Sequence, residues 1–177
     1  MQRRFDDLLR EYAQFGSLPS FLAPACLVRH GDGESDGENE QPLDTTAMMA
    51  PLPRRYSLRT EHTATLGLVY PLIKREGSAF AHIGIGRATN VDVQVPLVGI
   101  SKYHAYVNIG SNGEFTLADA GSQNGTRLVL ERLEPRQPRE LASGTRVYLA
   151  HYAFTFFTRG GLLEYVRTQR TPLAGGA

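Results

Sequence analysis

The chain has 177 residues, 41% of them hydrophobic, which is enough for one packed domain with extensions. Lys and Arg number 19 against 18 Asp and Glu, and this balance excludes a general electrostatic attraction to nucleic acid or to an anionic membrane. The single cysteine, Cys26, excludes an intrachain disulfide and a cysteine-rich zinc site.

The first thirty residues combine a helical pattern with a short apolar stretch. Phe5, Leu8 and Tyr12 recur at helical spacing, which predicts an amphipathic helix that ends near Gly16. Residues 21–28 are apolar but far too short to span a membrane, and acidic residues precede them where a secretion signal would be basic or apolar. We therefore expect a cytoplasmic protein without membrane insertion.

Residues 31–44, "GDGESDGENEQPLD", mix glycines and acids and show no apolar period. This composition is typical of a flexible linker. Two threonines, Thr45 and Thr46, follow directly after it in "PLDTTAMM".

From about Ser57 onward, short alternating or apolar runs are separated by turn signals such as "SNG", "AGSQNG" and "ASG". Strands recurring at this spacing, without intervening helical patterns, favour an all-β sandwich or barrel over a parallel α/β sheet. The predicted strands are 65–73, 80–85, 91–95, 104–109, 115–119, 126–130, 145–149 and 153–158.

These patterns divide the chain into three parts. We expect an N-terminal extension over residues 1–56, a β-sandwich over 57–160, and a C-terminal tail over 161–177 that contains a short helix in "GLLEYVRTQR".

The sequence "HIGIGRATNVDVQV", residues 82–95, has the first two glycines of a dinucleotide-binding loop. Thr89 occupies the third glycine position, and the residues after Asn90 alternate with period two instead of beginning a helix. A Rossmann-type site is therefore excluded, but Arg87 remains as a candidate anion ligand.

Three predicted loops carry polar residues at strand ends, where a sandwich presents its functional groups. They are "GR" at 86–87, "SKYH" at 101–104 and "GSQNG" at 121–125. Taken singly, each has an ordinary explanation, since an arginine is usually a solvated charge and Asn-Gly is a common tight turn. Their combination and order are more informative.

The ordered series "IGR", "VGISKYHAYV", "FTLADAGSQNGT" and "LASGTRVYLAHYAFTFF" resembles the forkhead-associated (FHA) family, whose members are phosphothreonine-binding β-sandwiches. The resemblance spans about residues 60–158. It implies an FHA-type sandwich with an N-terminal helical extension and a short C-terminal helix or tail.

The resemblance also implies the ligand contacts. Arg87 matches the family's phosphate-binding arginine, Ser101 a serine that adds a second hydrogen bond, and Lys102 a frequent further contact. Asn124 matches the asparagine that holds the peptide backbone, and Gln123 stands where the family often has Thr or Ser. We therefore expect these five residues to form a phosphopeptide site.

Three neighbouring residues are implied to support that site rather than to bind. Gly86 and Gly125 shape the loops, and His104 matches a histidine that braces them from beneath. The implied partner is a phosphothreonine protein or peptide, with a Ser/Thr kinase upstream and no cofactor.

The chemistry of the ligand agrees with these roles. Phosphothreonine carries about −1.5 to −2 charge and three strong acceptor oxygens, which a planar guanidinium can bind in pairs. Hydrogen bonds from Arg87, Ser101 and Lys102 would together contribute about 4 to 6 kcal/mol.

Two other classes of function stay open at this point. Ser101, His104 and Asp119 supply the residue types of a hydrolase triad, although Ser101 lies in no Gly-x-Ser-x-Gly turn. A phosphate-independent scaffold would use the same sandwich without the phosphate. Metal binding is not predicted, because the histidines are scattered singly along the chain.

Thr45 and Thr46 each have a methionine three residues later. Some proteins of the FHA family bind a phosphorylated threonine in their own flanking segment, so the resemblance makes both residues candidate phosphoacceptors and a candidate internal ligand.

Overall fold

The computed structural model describes residues 3–22, 24–30, 66–78 and 80–170. Within them, the chain forms two packed β-sheets with a helix near each end. The helices are α1 (Phe5–Phe15) and α2 (Arg159–Arg170), and a 3-10 turn covers Ser20–Leu22. Neither helix is long and apolar enough to cross a membrane.

The larger sheet has seven strands in the order β1-β3-β2-β12-β11-β8-β9, and all its neighbours are antiparallel. Its strands are β1 (Arg3–Arg4), β2 (Ala25–His30), β3 (Leu66–Pro71), β8 (Thr126–Leu128), β9 (Glu131–Arg132), β11 (Arg146–Leu149) and β12 (Tyr152–Thr158).

The smaller sheet has five strands in the order β10-β7-β6-β4-β5, and only its β4–β5 pair is parallel. Its strands are β4 (Ile83–Gly86), β5 (Val93–Gln94), β6 (Ala105–Ile109), β7 (Phe115–Asp119) and β10 (Arg139–Glu140).

The main core lies between the two sheets. It contains Ile85, Leu117 and Phe154, all fully buried, and the Phe115 and Phe156 rings meet there with centroids 5.2 Å apart. Inward residues alternate with outward ones along β6, as expected for a half-buried antiparallel strand. The predicted all-β sandwich is confirmed.

A second core joins the helices to the outer face of the larger sheet. Leu8 of α1 and Leu162 of α2 are fully buried there against Val28 of β2. Gly16 ends α1 in a left-handed conformation (φ 70°), and its N–H donates to the Tyr12 carbonyl at 2.9 Å. The predicted N-terminal and C-terminal helices are both confirmed.

The eight predicted strands all have counterparts, but β2 is a strand that the sequence did not reveal. Ala25–His30 was expected to be part of the N-terminal extension, yet it pairs with both β3 and β12. Its "ACLVRH" sequence lacks alternation because the sandwich core covers one face and the helices cover the other. The short strands β1, β9 and β10 were also not predicted.

The predicted domain boundaries do not coincide with the ends of described helices or strands. The boundary at residues 56 and 57 lies outside the described residues, and the one at 160 and 161 falls inside α2.

Candidate functional site

The three polar loops meet at one end of the sandwich. Arg87 follows directly after β4, residues 95–104 connect β5 to β6, and residues 120–125 connect β7 to β8. Between them lies an open groove of about 630 Å³, lined by Arg87, Ser101, Lys102 and Gln123 among others. Four of the five predicted ligand-binding residues therefore line one groove.

Arg87 is exposed and is held by the neighbouring loop. Its backbone N–H donates to the Ser101 carbonyl at 2.9 Å, and its Nε donates to the Ile100 carbonyl at 3.2 Å. Because Nε takes the internal contact, the paired donors of the terminal amino groups remain for a ligand. The side chain is thus oriented by the loop that also carries Ser101.

The Ser101 hydroxyl accepts a hydrogen bond from the backbone N–H of Gln123 at 3.0 Å. A hydroxyl that accepts in this way keeps its own hydrogen to donate. Lys102 is exposed beside it, so the groove combines a guanidinium, an ammonium and a hydroxyl donor. Gln123 contributes its backbone N–H to this arrangement.

Asn124 lies next to this groove and is fixed by its side-chain amide. Its Nδ2 donates to the Gly99 carbonyl at 2.8 Å, which leaves the side-chain carbonyl oxygen as an acceptor. Gly99 itself lines the groove, so Asn124 borders it without being part of its wall.

His104 is fully buried and bridges two loops. Its Nδ1 accepts from the Ser101 backbone N–H at 3.0 Å, so its Nε2 carries the proton and donates to the Gly125 carbonyl at 3.1 Å. Burial lowers the pKa of His104 despite the opposing effects of the Gly125 carbonyl and the Asp119 carboxylate. The ring is therefore a neutral brace.

Two glycines make the close approach of the loops geometrically feasible. A Cβ on Gly86 would lie 2.3 Å from the Lys102 carbonyl oxygen, so only glycine lets β4 pack against residues 101–103. Gly125 has φ +79°, a conformation that other residues rarely adopt. The contacts of His104, Gly86 and Gly125 are consistent with the supporting role expected for them.

Asp119 organises the loop that presents Gln123 and Asn124. Its buried carboxylate accepts hydrogen bonds from the backbone N–H groups of Gly121 and Ser122 and from the hydroxyls of Ser122 and Thr126, all at 2.7 to 2.9 Å. Burial raises the pKa of Asp119, but these four hydrogen bonds outweigh it and lower the pKa overall. From the sequence, Asp119 was considered only as the acid of a hydrolase triad.

The geometry of Ser101, His104 and Asp119 differs from that of a triad. Both ring nitrogens of His104 are occupied by backbone groups of residues 101 and 125, and the Ser101 hydroxyl is paired with Gln123. A general base needs a ring nitrogen within reach of the nucleophile's proton. His104 has no nitrogen placed for that task.

His151 is a neighbour of the site that the sequence did not single out. It lies in the turn between β11 and β12, and its ring is 3.4 Å from the position of a Cβ on Gly99. The Ala150 N–H donates to the Gly125 carbonyl at 3.0 Å, which ties this turn to the Asn124 loop. A single histidine in a turn gives no sequence signal of such a location.

The family comparison matches the part of the chain that carries these loops. Residues 83–150, from β4 through β11, match the model of the FHA domain. This segment of the chain is an FHA domain. The candidate phosphoacceptors Thr45 and Thr46 lie outside the described residues.

Several solved structures resemble the chain at low similarity. EmbR of Mycobacterium tuberculosis, solved with a low-affinity phosphopeptide, is 26% identical over 44% of this chain and 20% of its own, with a TM-score of 0.39. An FHA domain studied for phosphothreonine-dependent interactions is 19% identical over 76% of this chain and 95% of its own, with a TM-score of 0.43.

Full-length yeast Pml1p is 18% identical over 84% of this chain and 92% of its own, with a TM-score of 0.49. The chain spans only about a fifth of EmbR. No curated protein matches the sequence.

Proposed function

We propose that the protein is a phosphothreonine-dependent binding module that acts in the cytoplasm downstream of a Ser/Thr kinase, without catalysis of its own. The observation that carries this proposal is the convergence of Arg87, Ser101 and Lys102 on one groove of the FHA domain. The match of residues 83–150 to the FHA domain supports the same class of ligand.

In this proposal the phosphate lies against Arg87, whose terminal amino groups donate to two of its oxygens. Ser101 donates its hydroxyl hydrogen to a third oxygen, and Lys102 adds a positive charge at the rim. Asn124 holds the peptide backbone beside the phosphothreonine through its side-chain carbonyl oxygen and the Nδ2 hydrogen that does not bind Gly99. Gln123 contributes chiefly by fixing the Ser101 hydroxyl through its backbone N–H.

A phosphate-independent scaffold is the alternative. It would have no need of an arginine with an oriented side chain, and yet the Arg87 guanidinium is held by a hydrogen bond from its Nε to the Ile100 carbonyl. An exposed arginine without a ligand loses side-chain entropy when it is held in this way. The orientation of Arg87 therefore favours an anionic ligand.

Substitution of Arg87 by alanine tests the proposal. The wild-type protein should capture a degenerate phosphothreonine peptide library and not its unphosphorylated counterpart, and the Arg87→Ala variant should lose this capture by about 100-fold or more. An Arg10→Ala variant, which removes an exposed arginine of α1, should behave as wild type. Equal capture of both libraries, or capture of neither, would reject phosphate-dependent binding.

We also propose that phosphorylated Thr45 or Thr46 can act as an internal ligand. The segment 31–65 joins His30 to Leu66, which are paired in the larger sheet. Arg29, next to His30, stacks on Tyr152, whose ring lies 4.0 Å from that of His151 at the site. Thr45 is 15 residues from His30, a reach of up to about 50 Å.

This internal ligand predicts competition with external peptide. After treatment with a Ser/Thr kinase, the wild-type protein should capture less external phosphothreonine peptide, whereas a Thr45→Ala/Thr46→Ala variant should be unaffected. The idea fails if the kinase leaves both threonines unmodified, or if a phosphorylated peptide of residues 40–52 does not bind the protein.

A further inference from the structure

A second groove lies beside the candidate phosphate groove. Its volume is about 320 Å³, at the lower end of the range for ligand pockets, which suits one side chain better than a whole ligand. Lys102 and Tyr103 line both grooves, so the second is a direct continuation of the first. A peptide held at Arg87 would therefore have a neighbouring place for another of its side chains.

The wall of this groove is aromatic and rigidly supported. The Tyr103 ring lies over Gly84, where a Cβ would come within 2.6 Å of it, and its hydroxyl is 2.5 Å from Nε2 of His82. Phe80 stacks on His82 with centroids 5.1 Å apart and an interplanar angle of 12°, yet 56% of Phe80 stays exposed. A large exposed ring held in place by its neighbours is suited to contact a ligand.

The one acid in this groove is already satisfied from within the protein. Asp92 has a side chain only 3% exposed, and it accepts hydrogen bonds from the backbone N–H groups of Gly84 at 2.7 Å and Arg75 at 2.8 Å. Lys74 lies 3.3 Å from the same carboxylate. The surface offered to a ligand is therefore mainly apolar and comes chiefly from Phe80, Ala88 and Tyr103, beside the exposed Asn90 and Lys102.

We infer that this groove receives an aromatic or large aliphatic side chain near the phosphothreonine in the same bound peptide, and so sets the sequence preference of the module. The inference rests on the proposed function, because the phosphate at Arg87 brings the peptide to the groove. Burial of one such side chain against the exposed ring of Phe80 should strengthen binding about tenfold.

An oriented phosphothreonine peptide library tests the inference. The wild-type protein should enrich aromatic or large aliphatic residues at one flanking position, and a fixed peptide with Phe there should bind about tenfold more tightly than its Ala counterpart. In Phe80→Ala, which removes the wall, and in Ala88→Leu, which fills the groove, the ratio of the two affinities should fall towards one. Ile109→Ala, an exposed apolar residue at the far end of β6, should keep the wild-type ratio.

The possible failures are distinguishable. Phosphate-dependent capture without a flanking apolar preference, or with a ratio unchanged in both groove variants, overturns the inference and leaves the proposed function standing. If the wild-type protein shows no phosphate-dependent capture, both the inference and the proposed function are overturned. A Phe80→Ala variant that alters sedimentation but not peptide preference would assign the groove to a contact between two copies of the chain, and would also overturn the inference.

Discussion

His104 holds the Ser101 loop and the Asn124 loop together only in its neutral form. Its Nδ1 must stay unprotonated to accept from the Ser101 N–H, while Nε2 donates to the Gly125 carbonyl. Protonation of Nδ1 would turn this acceptor into a second donor that faces an N–H group. The arrangement of these two loops and the stability of the fold therefore both depend on the protonation state of His104.

Stability should decrease as the pH falls below about 6.5. The pKa of His104 is lowered in the folded state by burial, so between the folded and unfolded values the unfolded chain binds more protons. Asp119 acts at lower pH: its lowered pKa gives stability above about 3.8 that is lost as the pH falls through the folded value. Urea denaturation at pH 7.5, 5.5 and 2.5 measures both effects.

A His104→Gln variant serves as the control, because an amide can accept from Ser101 and donate to Gly125 without titrating. It should lose less stability than the wild type between pH 7.5 and 5.5. Equal losses in the two proteins would show that His104 does not control this transition.

At the residue level, the sequence pointed to the groups that we propose to bind a phosphate, because their chemistry is visible in their type and order. Arg87, Ser101 and Lys102 are examples. The role of Asp119 was not visible, because it depends on how residues 120–126 turn back towards its carboxylate. The role of His151 was not visible either, because it depends on packing against the distant Gly99.

At the level of elements, the end of β4 determines how the site is assembled. Gly86 allows the backbone of β4 to pass next to Lys102, and the Arg87 and Ala88 N–H groups then donate to the carbonyls of Ser101 and Lys102 at 2.9 and 3.1 Å. The arginine and the serine loop thereby form one unit.

A Gly86→Ala substitution should disrupt this unit. The new Cβ would lie 2.3 Å from a backbone oxygen, so strand and loop must separate, at a cost of about 1 to 3 kcal/mol in the free energy of unfolding. Phosphopeptide affinity should fall by about tenfold or more, as Arg87 and Ser101 move apart. Denaturation and peptide titration measure the two effects.

Gly160→Ala is the matched control, because nothing lies within 4 Å of the new Cβ and the residue is in α2. It should bind as the wild type and be equally or slightly more stable. If Gly86→Ala behaved in the same way, the close packing of β4 against the serine loop would not be needed for binding.

Among the elements, strands with one covered face were predictable and β2 was not. The alternation of β6 reflects a face towards the core and a face towards the smaller sheet's exterior. The sequence of β2 reads as a short apolar run, which also fits a buried loop or helix segment, because both of its faces are covered.

At the level of the whole molecule, the two helices meet on the larger sheet. Phe5 of α1 contacts Tyr165 of α2 with ring centroids 6.0 Å apart, and Arg159 donates to the carbonyls of Leu18 and Pro19 at 2.7 and 2.6 Å. We propose that the folded unit therefore extends beyond the matched residues 83–150 and includes both helices and β2.

The sequence by itself determined the fold class, and it singled out the residues that we propose to bind phosphate. Its evidence is local and can be read from the sequence without knowledge of contacts: period-two alternation, turn residues, and the order of Gly86-Arg87, Ser101 and Asn124. Only the tertiary structure decided that β2 is a central strand and that Phe80 and Tyr103 wall a second groove. Those outcomes depend on which distant segments pack together, and packing is a property of the whole chain.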